Sequence, residues 1–123
     1  LKKYRITLPM PPTTNHYHVP RAGGKGLTKN PKVAGYQRDV IMLIRSMNLH
    51  KIMIDEPVRF GVVFHPKTGA RYDVSNFLKA FEDGLQMAGF LADDHWIEYD
   101  FINKGEKDAK NPRVEIQAIV TNG

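Results

Sequence analysis

The stretch that decides the fold reads Arg71-Tyr72-Asp73-Val74-Ser75-Asn76-Phe77-Leu78-Lys79, runs on through Ala80 to Ala88, and ends Gly89-Phe90-Leu91-Ala92-Asp93-Asp94. Val74, Phe77, Leu78, Phe81, Leu85 and Ala88 fall on one stripe when residues three and four apart share a helical face. Gly89 is placed to stop that helix, because glycine tolerates the left-handed backbone of a helix end. Asp73 stands just before the helix, and Asp93 and Asp94 stand in the loop after it. A helix with its return loop can bring such positions together. Carboxylates clustered on a basic chain point to a hard divalent cation facing a phosphate backbone.

Outward from this helix the pattern continues. Tyr4-Arg5-Ile6-Thr7-Leu8 alternates as a half-buried strand does, and Pro9, Pro11 and Pro12 end it. Thr13 to Pro31 is rich in Gly, Pro, Asn and basic residues and reads as a long loop. Val33, Tyr36, Val40, Leu43, Ile44 and Met47 give helical spacing over Lys32 to Met47. Val58, Phe60, Val62 and Phe64 mark a second strand, Trp96 to Asn103 a third and Arg113 to Val120 a fourth. The order strand, helix, strand, helix, strand, strand predicts an α/β (α+β) fold. It would be a single-layer mixed sheet of about four strands with two main helices and an antiparallel pair at the end. Residues 1–123 are expected to form one domain.

Composition bounds the possibilities. Apolar residues make up 41% and charged residues 25% of the chain, ordinary values for a globular protein with a real core. There is no cysteine, which excludes disulfides and thiolate metal sites. No apolar run approaches the roughly 20 residues that span a membrane. No signal peptide is expected, and the cytoplasm is the default compartment. The chain begins with Leu, so a few starting residues are expected to be missing. The net charge of +5 is compatible with a polyanionic partner, chiefly nucleic acid.

A nuclease metal site needs oxygen ligands at fixed separation, and magnesium keeps several waters in a near-octahedral shell. Asp73 and Asp94 are suitable anchors. Each has an ordinary structural reading as well: Asp73 or Ser75 as a helix N-cap, Asp93-Asp94 as a turn. Lys79 lies one turn from Ser75 and shares its face with Glu82 and Gln86. A lysine beside metal-held carboxylates can contact phosphate or stabilise charge developing on a leaving oxygen. Taken alone it reads as a solvated helix lysine.

These residues resemble the RusA family of Holliday junction resolvases, small phage-associated endonucleases. The likeness begins at Ile6-Thr7-Leu8-Pro9-Met10-Pro11-Pro12 and Asn15 and continues through Ala34-Gly35-Tyr36. It is densest at Arg71 to Ala80, followed by Asp83, Leu85, Ala88-Gly89-Phe90 and Asp93-Asp94. The family pattern is an arginine-rich approach, Asp-x-Asp-Asn, a lysine one turn into the helix and Asp-Asp after it. By position Asp73 matches the first acidic ligand, Asp94 the last, and Lys79 the functional lysine. The resemblance implies cleavage of four-way DNA junctions by a homodimer, with magnesium, or manganese in its place, as the cofactor. Two-fold symmetry suits nicks at two related positions. An apolar face of the second helix or of the third strand is the expected dimer contact.

The chain departs from the pattern twice. Ser75 stands where a second Asp is expected, and Tyr72 where a basic residue is usual, with Arg71 adjacent. A serine hydroxyl is a weak magnesium ligand, so Glu82 or Asp93 would have to compensate, or cleavage is reduced. The metal set is therefore Asp73, Asp94, Ser75 and Asp93, and the alternative function is a module that binds branched DNA without cutting it. An enzyme acting on phosphorylated metabolites is a third reading.

Other stretches carry less. His16-Tyr17-His18 lacks a third zinc ligand at clear spacing and reads as DNA contact or simple exposure. His95 adjoins Asp94 and reads as a surface histidine. Gly23 to Lys29 lacks the Gly-x-x-x-x-Gly-Lys-Ser/Thr spacing of a phosphate loop. A flexible basic loop with Arg21, Lys25, Lys29 and Lys32 fits DNA better. The candidate DNA contacts are Arg71, Asn15, Lys25 and Lys29. Lys104, Lys107, Lys110 and Arg113 form a second basic run.

Overall fold

The computed structural model describes residues 1–13 and 17–121. Asn15 and His16 lie outside the described residues. Strand β1 (Lys2–Pro9) is followed by two short strands, β2 (His18–Pro20) and β3 (Leu27–Lys29), then helix α1 (Pro31–Ser46). Strand β4 (Val58–His65), helix α2 (Ser75–Met87), a 3-10 turn over Asp94–Trp96, β5 (Ile97–Lys104) and β6 (Arg113–Val120) complete the chain. Two helices and a mixed four-stranded sheet are thus as the sequence predicts. Among the described residues no helix is long and apolar enough to cross a membrane.

The sheet order is β1-β6-β4-β5. The expected terminal antiparallel pair is wrong: β6 lies between β1 and β4, antiparallel to both, while β5 runs parallel to β4. The reason lies in burial and connection. β4 and β5 are joined through α2, and a helical crossover returns a strand parallel to its predecessor. β6 puts Val114, Ile116, Ala118 and Val120 into the core, whereas every residue of β5 is at least partly exposed. The more apolar strand takes the inner position and β5 the edge.

Long-range packing sits on one face of this sheet. Ile6 and Leu8, Val58 to Phe64 at alternate positions, and the inward residues of β6 meet Val40 and Ile44 of α1 and Phe77, Ala80, Phe81 and Leu85 of α2. Burying Phe60, Phe64 and Phe81 completely contributes roughly 1.5–3 kcal/mol each.

The expected long loop from Thr13 to Pro31 is also corrected, because it holds the β2/β3 hairpin. Its turn runs through Gly23, Gly24 and Gly26, all at positive φ, where side chains are strained. Asn30 then caps α1, its side chain accepting from the Lys32 amide at 2.9 Å, with Pro31 in the first turn.

Candidate functional site

Helix α2 sets the site, and its two ends are built differently. At the N-terminal end the Asp73 Oδ1 accepts both the Ser75 amide (3.1 Å) and the Ser75 hydroxyl (2.9 Å). The acid therefore caps the first turn, although Val74 is the residue at the formal cap position and contributes no side-chain bond. Asp73 is exposed, and these two bonds hold its carboxyl below the usual range, helped by the charge of Lys104. Lys104 sits over the Tyr72 ring, 4.9 Å from its centroid. A positive charge thus reaches the neighbourhood of position 72 from the end of β5. Arg71 is exposed beside it.

At the C-terminal end α2 stops in a Schellman arrangement. The Gly89 amide donates to the Gln86 carbonyl (3.2 Å) and the Phe90 amide to the Leu85 carbonyl (3.1 Å), with Gly89 at φ 86°. A side chain at Gly89 would run into the His50 carbonyl. The chain leaving this turn is tied down by the Met53 and Ile54 amides, which donate to the Gly89 and Phe90 carbonyls, and by the Ala92 amide to the Ile54 carbonyl. Asp93 and Asp94 follow at once, and the Asp94 amide donates to the Gln86 side-chain oxygen at 3.1 Å.

The acids here are crowded. Burial, then the neighbouring Asp93 and Asp83, push the Asp94 carboxyl up, and Lys79 opposes the shift. Glu82 is also pushed up, first by burial and then by Asp94 and Asp83. Its carboxylate accepts a hydrogen bond from the Tyr99 phenol. Glu82 therefore belongs with Asp94 and does not turn back toward Ser75. Asp93 is held low instead, chiefly because its Oδ1 accepts the His95 amide at 2.9 Å. His95 pairs with Asp93 at 3.0 Å and stacks on Trp96, a surface histidine engaged in its own turn.

Lys79 lies between these ends, its ammonium 3.4 Å from Asp83 and 5.1 Å from the Tyr17 ring centroid. Tyr17 is buried, contrary to the expectation of DNA contact or exposure, while His18 is exposed. Lys29 turns inward, donating to the Gln37 side-chain oxygen at 2.6 Å. Lys25 and Arg21 are exposed at the hairpin tip. Sequence reasoning gave Asp83 and Tyr17 no role of their own. The Lys79–Asp83 spacing of four was a usable signal; the approach of Tyr17, across 66 residues, was not.

Among the described residues no three His, Asp or Glu side chains are grouped closely enough to hold a metal ion. A hard cation nevertheless suits this donor set. Magnesium is commonly held by one or two carboxylates and completed by water and substrate phosphate oxygens. Asp94, Asp93, Asp83 and Glu82 bring negative charge to this end of α2, which a bound cation would offset.

A helix carrying a lysine between carboxylate-bearing ends offers the groups that metal-assisted phosphodiester cleavage uses. Residues 9–119 match the family model described as Endodeoxyribonuclease RusA. The chain is 31% identical over 107 residues, 87% of each chain, to the crossover junction endodeoxyribonuclease of Enterobacteria phage HK97. It is 31% identical over 97 residues to that of Escherichia coli O139:H28, covering 79% of this chain and 78% of the relative. With the enzyme of Enterobacteria phage 82 it shares 32% over 94 residues, 76% of each. The chain belongs to the RusA family of endodeoxyribonucleases.

Proposed function

We propose that this chain resolves four-way DNA junctions as a divalent-metal-dependent endonuclease acting as a homodimer. The observation that carries the reading is family membership over residues 9–119 together with Asp73, Lys79 and Asp94 standing along one helix and its return loop. Asp73 with the Ser75 hydroxyl at one end of α2, and Asp94 with Asp93 at the other, would offer oxygen ligands to magnesium or manganese; thirteen helical residues, about 19 Å, separate the two pairs, so within one chain they would serve separate ions. The bound cation would polarise the scissile phosphate and make water a better nucleophile. Lys79 supplies a positive charge for the phosphate oxygens as charge develops on the leaving group. Arg71, Lys104 and the exposed tip of the hairpin offer cations to the flanking phosphates. The sequence also offers Asn15 as a DNA contact. Two copies related by a two-fold axis match the two nicks that a junction requires. The relatives come from phages and enterobacteria, which supports action in the bacterial cytoplasm.

One observation favours a second reading, a junction-binding module that cuts poorly. The Ser75 hydroxyl donates a hydrogen bond to Asp73 and adds no carboxylate. The test is the purified protein with a synthetic four-way junction and a linear duplex of the same sequence, in magnesium, manganese or chelator. Paired nicks in the junction alone, dependent on metal, support the nuclease. Tight junction binding without nicks supports the module. Equal binding to both DNAs overturns both.

A further inference from the structure

The hydrogen-bond network under Lys79 is larger than a surface ion pair requires. The Lys79 side chain is 56% exposed, and a free lysine there would sample many rotamers. Its contact with Asp83 is an exposed pair on one helix with the lysine first, the weaker order. That contact alone does not fix the ammonium.

Three further observations bear on its position. The Tyr17 phenol donates to the same Asp83 Oδ2 at 2.6 Å, so one carboxylate oxygen serves both groups. The Tyr17 ring lies under the Lys79 ammonium. Tyr17 is itself fixed from behind by Gln37, which is fully buried and donates to the phenol oxygen (3.1 Å) and to the Ala80 carbonyl (3.3 Å). The remaining polar atom of Gln37 takes the Lys29 ammonium. Gln37 and Tyr17 are the buried part of this network, and rotating either leaves a buried polar group unpaired. The Asn30 amide also donates to the Tyr17 carbonyl at 2.7 Å, which pins the backbone of the same residue.

We infer that Tyr17 and Asp83 are positioning residues that seat the Lys79 ammonium beside the acidic end of α2. This rests on the reading of Lys79 as the group that stabilises phosphate charge. The seat restricts the lysine before substrate arrives, so less ordering remains to be done in the transition state. It also ties the hairpin to α2, since Tyr17 leads directly into β2.

The experiment is a single-turnover nicking assay on a synthetic four-way junction at saturating protein and magnesium, with the junction Kd measured in parallel. Asp83→Asn keeps an acceptor for the Tyr17 phenol and removes the charge that holds Lys79. It should slow nicking by about tenfold while leaving Kd nearly unchanged. Tyr17→Leu should slow it similarly, and Tyr17→Phe, which keeps the ring, should be slowed less. In a Lys79→Ala background neither Asp83→Asn nor Tyr17→Leu should slow nicking further, because the group they position is gone. Wild-type rates in Asp83→Asn and Tyr17→Leu would overturn the inference. So would losses that persist in full without Lys79, since these mark a merely structural role. If Tyr17→Leu fails to fold, the isosteric Asp83→Asn carries the cycle. A second measurement does not need activity. The Lys79 ε-methylene protons should resonate upfield of those of exposed lysines, shifted by the Tyr17 ring, and the shift should survive Tyr17→Phe. Its absence in the wild-type protein overturns the seat. A wild-type protein that does not nick would defeat the nuclease reading, and the proton shifts would then decide the seat alone.

Discussion

The two ends of helix α2 handle negative charge in opposite ways. Asp73 is exposed and supplied with donors by its own first turn, so its carboxylate is comfortable without a cation. Asp94 is half-hidden among Asp93, Asp83 and Glu82, and its carboxylate is not. The difference teaches that the surroundings set how each acid is stabilised: Asp73 has donors from its own turn, whereas Asp94 is partly buried beside other acids, whose charge a cation would offset. Ser75 is the local cause: its hydroxyl donates a hydrogen bond to Asp73, whereas a carboxylate there would have added charge.

The contrast is open to direct attack. The largest effect is expected from Asp94→Asn, which should reduce metal-dependent nicking at least about a hundredfold, close to 3 kcal/mol of barrier. Asp73→Asn should also impair cutting and leave junction binding intact or tighter, because a carboxylate that repels phosphate is removed. Wild-type cutting by either variant would break the metal assignment. Nicking rates across a magnesium titration provide the measurement.

Gly89→Ala attacks the turn that delivers Asp94. With φ at 86° and the His50 carbonyl in the way, it should destabilise the fold by more than the roughly 1 kcal/mol typical of glycine replacement at a helix end. A thermal melt that does not move would show that the Schellman turn is not needed.

Ser75→Asp should make the two ends alike. Severalfold less magnesium should then support half-maximal nicking, and the helix dipole favours the added charge. A wild type that already nicks well, joined to no gain in this variant, would mean that the acids around Asp94 suffice. Glu82→Gln tests that, through loss of activity.

Glu82 also gives a pH signature. Its folded carboxyl is raised, so between the ordinary value of 4.5 and that raised value the folded state holds more protons than the unfolded one. Stability must then fall as pH rises through this window. Glu82→Gln should remove that fall, read as melting temperature against pH. An equal slope in both proteins would show that burial does not penalise the charged form.

The smallest effect concerns a region outside both ends. Neutralising Arg21 and Lys25 at the hairpin tip should lower the slope of log binding constant against log salt by about 0.9 for each phosphate that these cations no longer neutralise. Lys29, which faces Gln37, should change the slope less than Lys25 does and the melting temperature more. Equal salt effects at Lys25 and Lys29 would show that the inward contact does not persist on DNA.

The sequence by itself determined the elements of this protein. Helix α2, its glycine stop and the alternation in β4 are local patterns, written in residues a few positions apart. The positions of Asp73, Lys79 and Asp94 on one helix and its return loop were legible for the same reason. Only the tertiary structure decided the rest. That β6 enters between β1 and β4 follows from competition among strands for the buried position, which no window of sequence contains. The β2/β3 hairpin looked like loop because its strands are short and its ladder is held by backbone, with Tyr17 anchoring it far away on α2. The burial of Tyr17, the inward turn of Lys29 and the meeting of Glu82 with Tyr99 depend on side chains from separate elements reaching one point. Such contacts are set by packing across the core, and packing has no signature in any single segment of the chain.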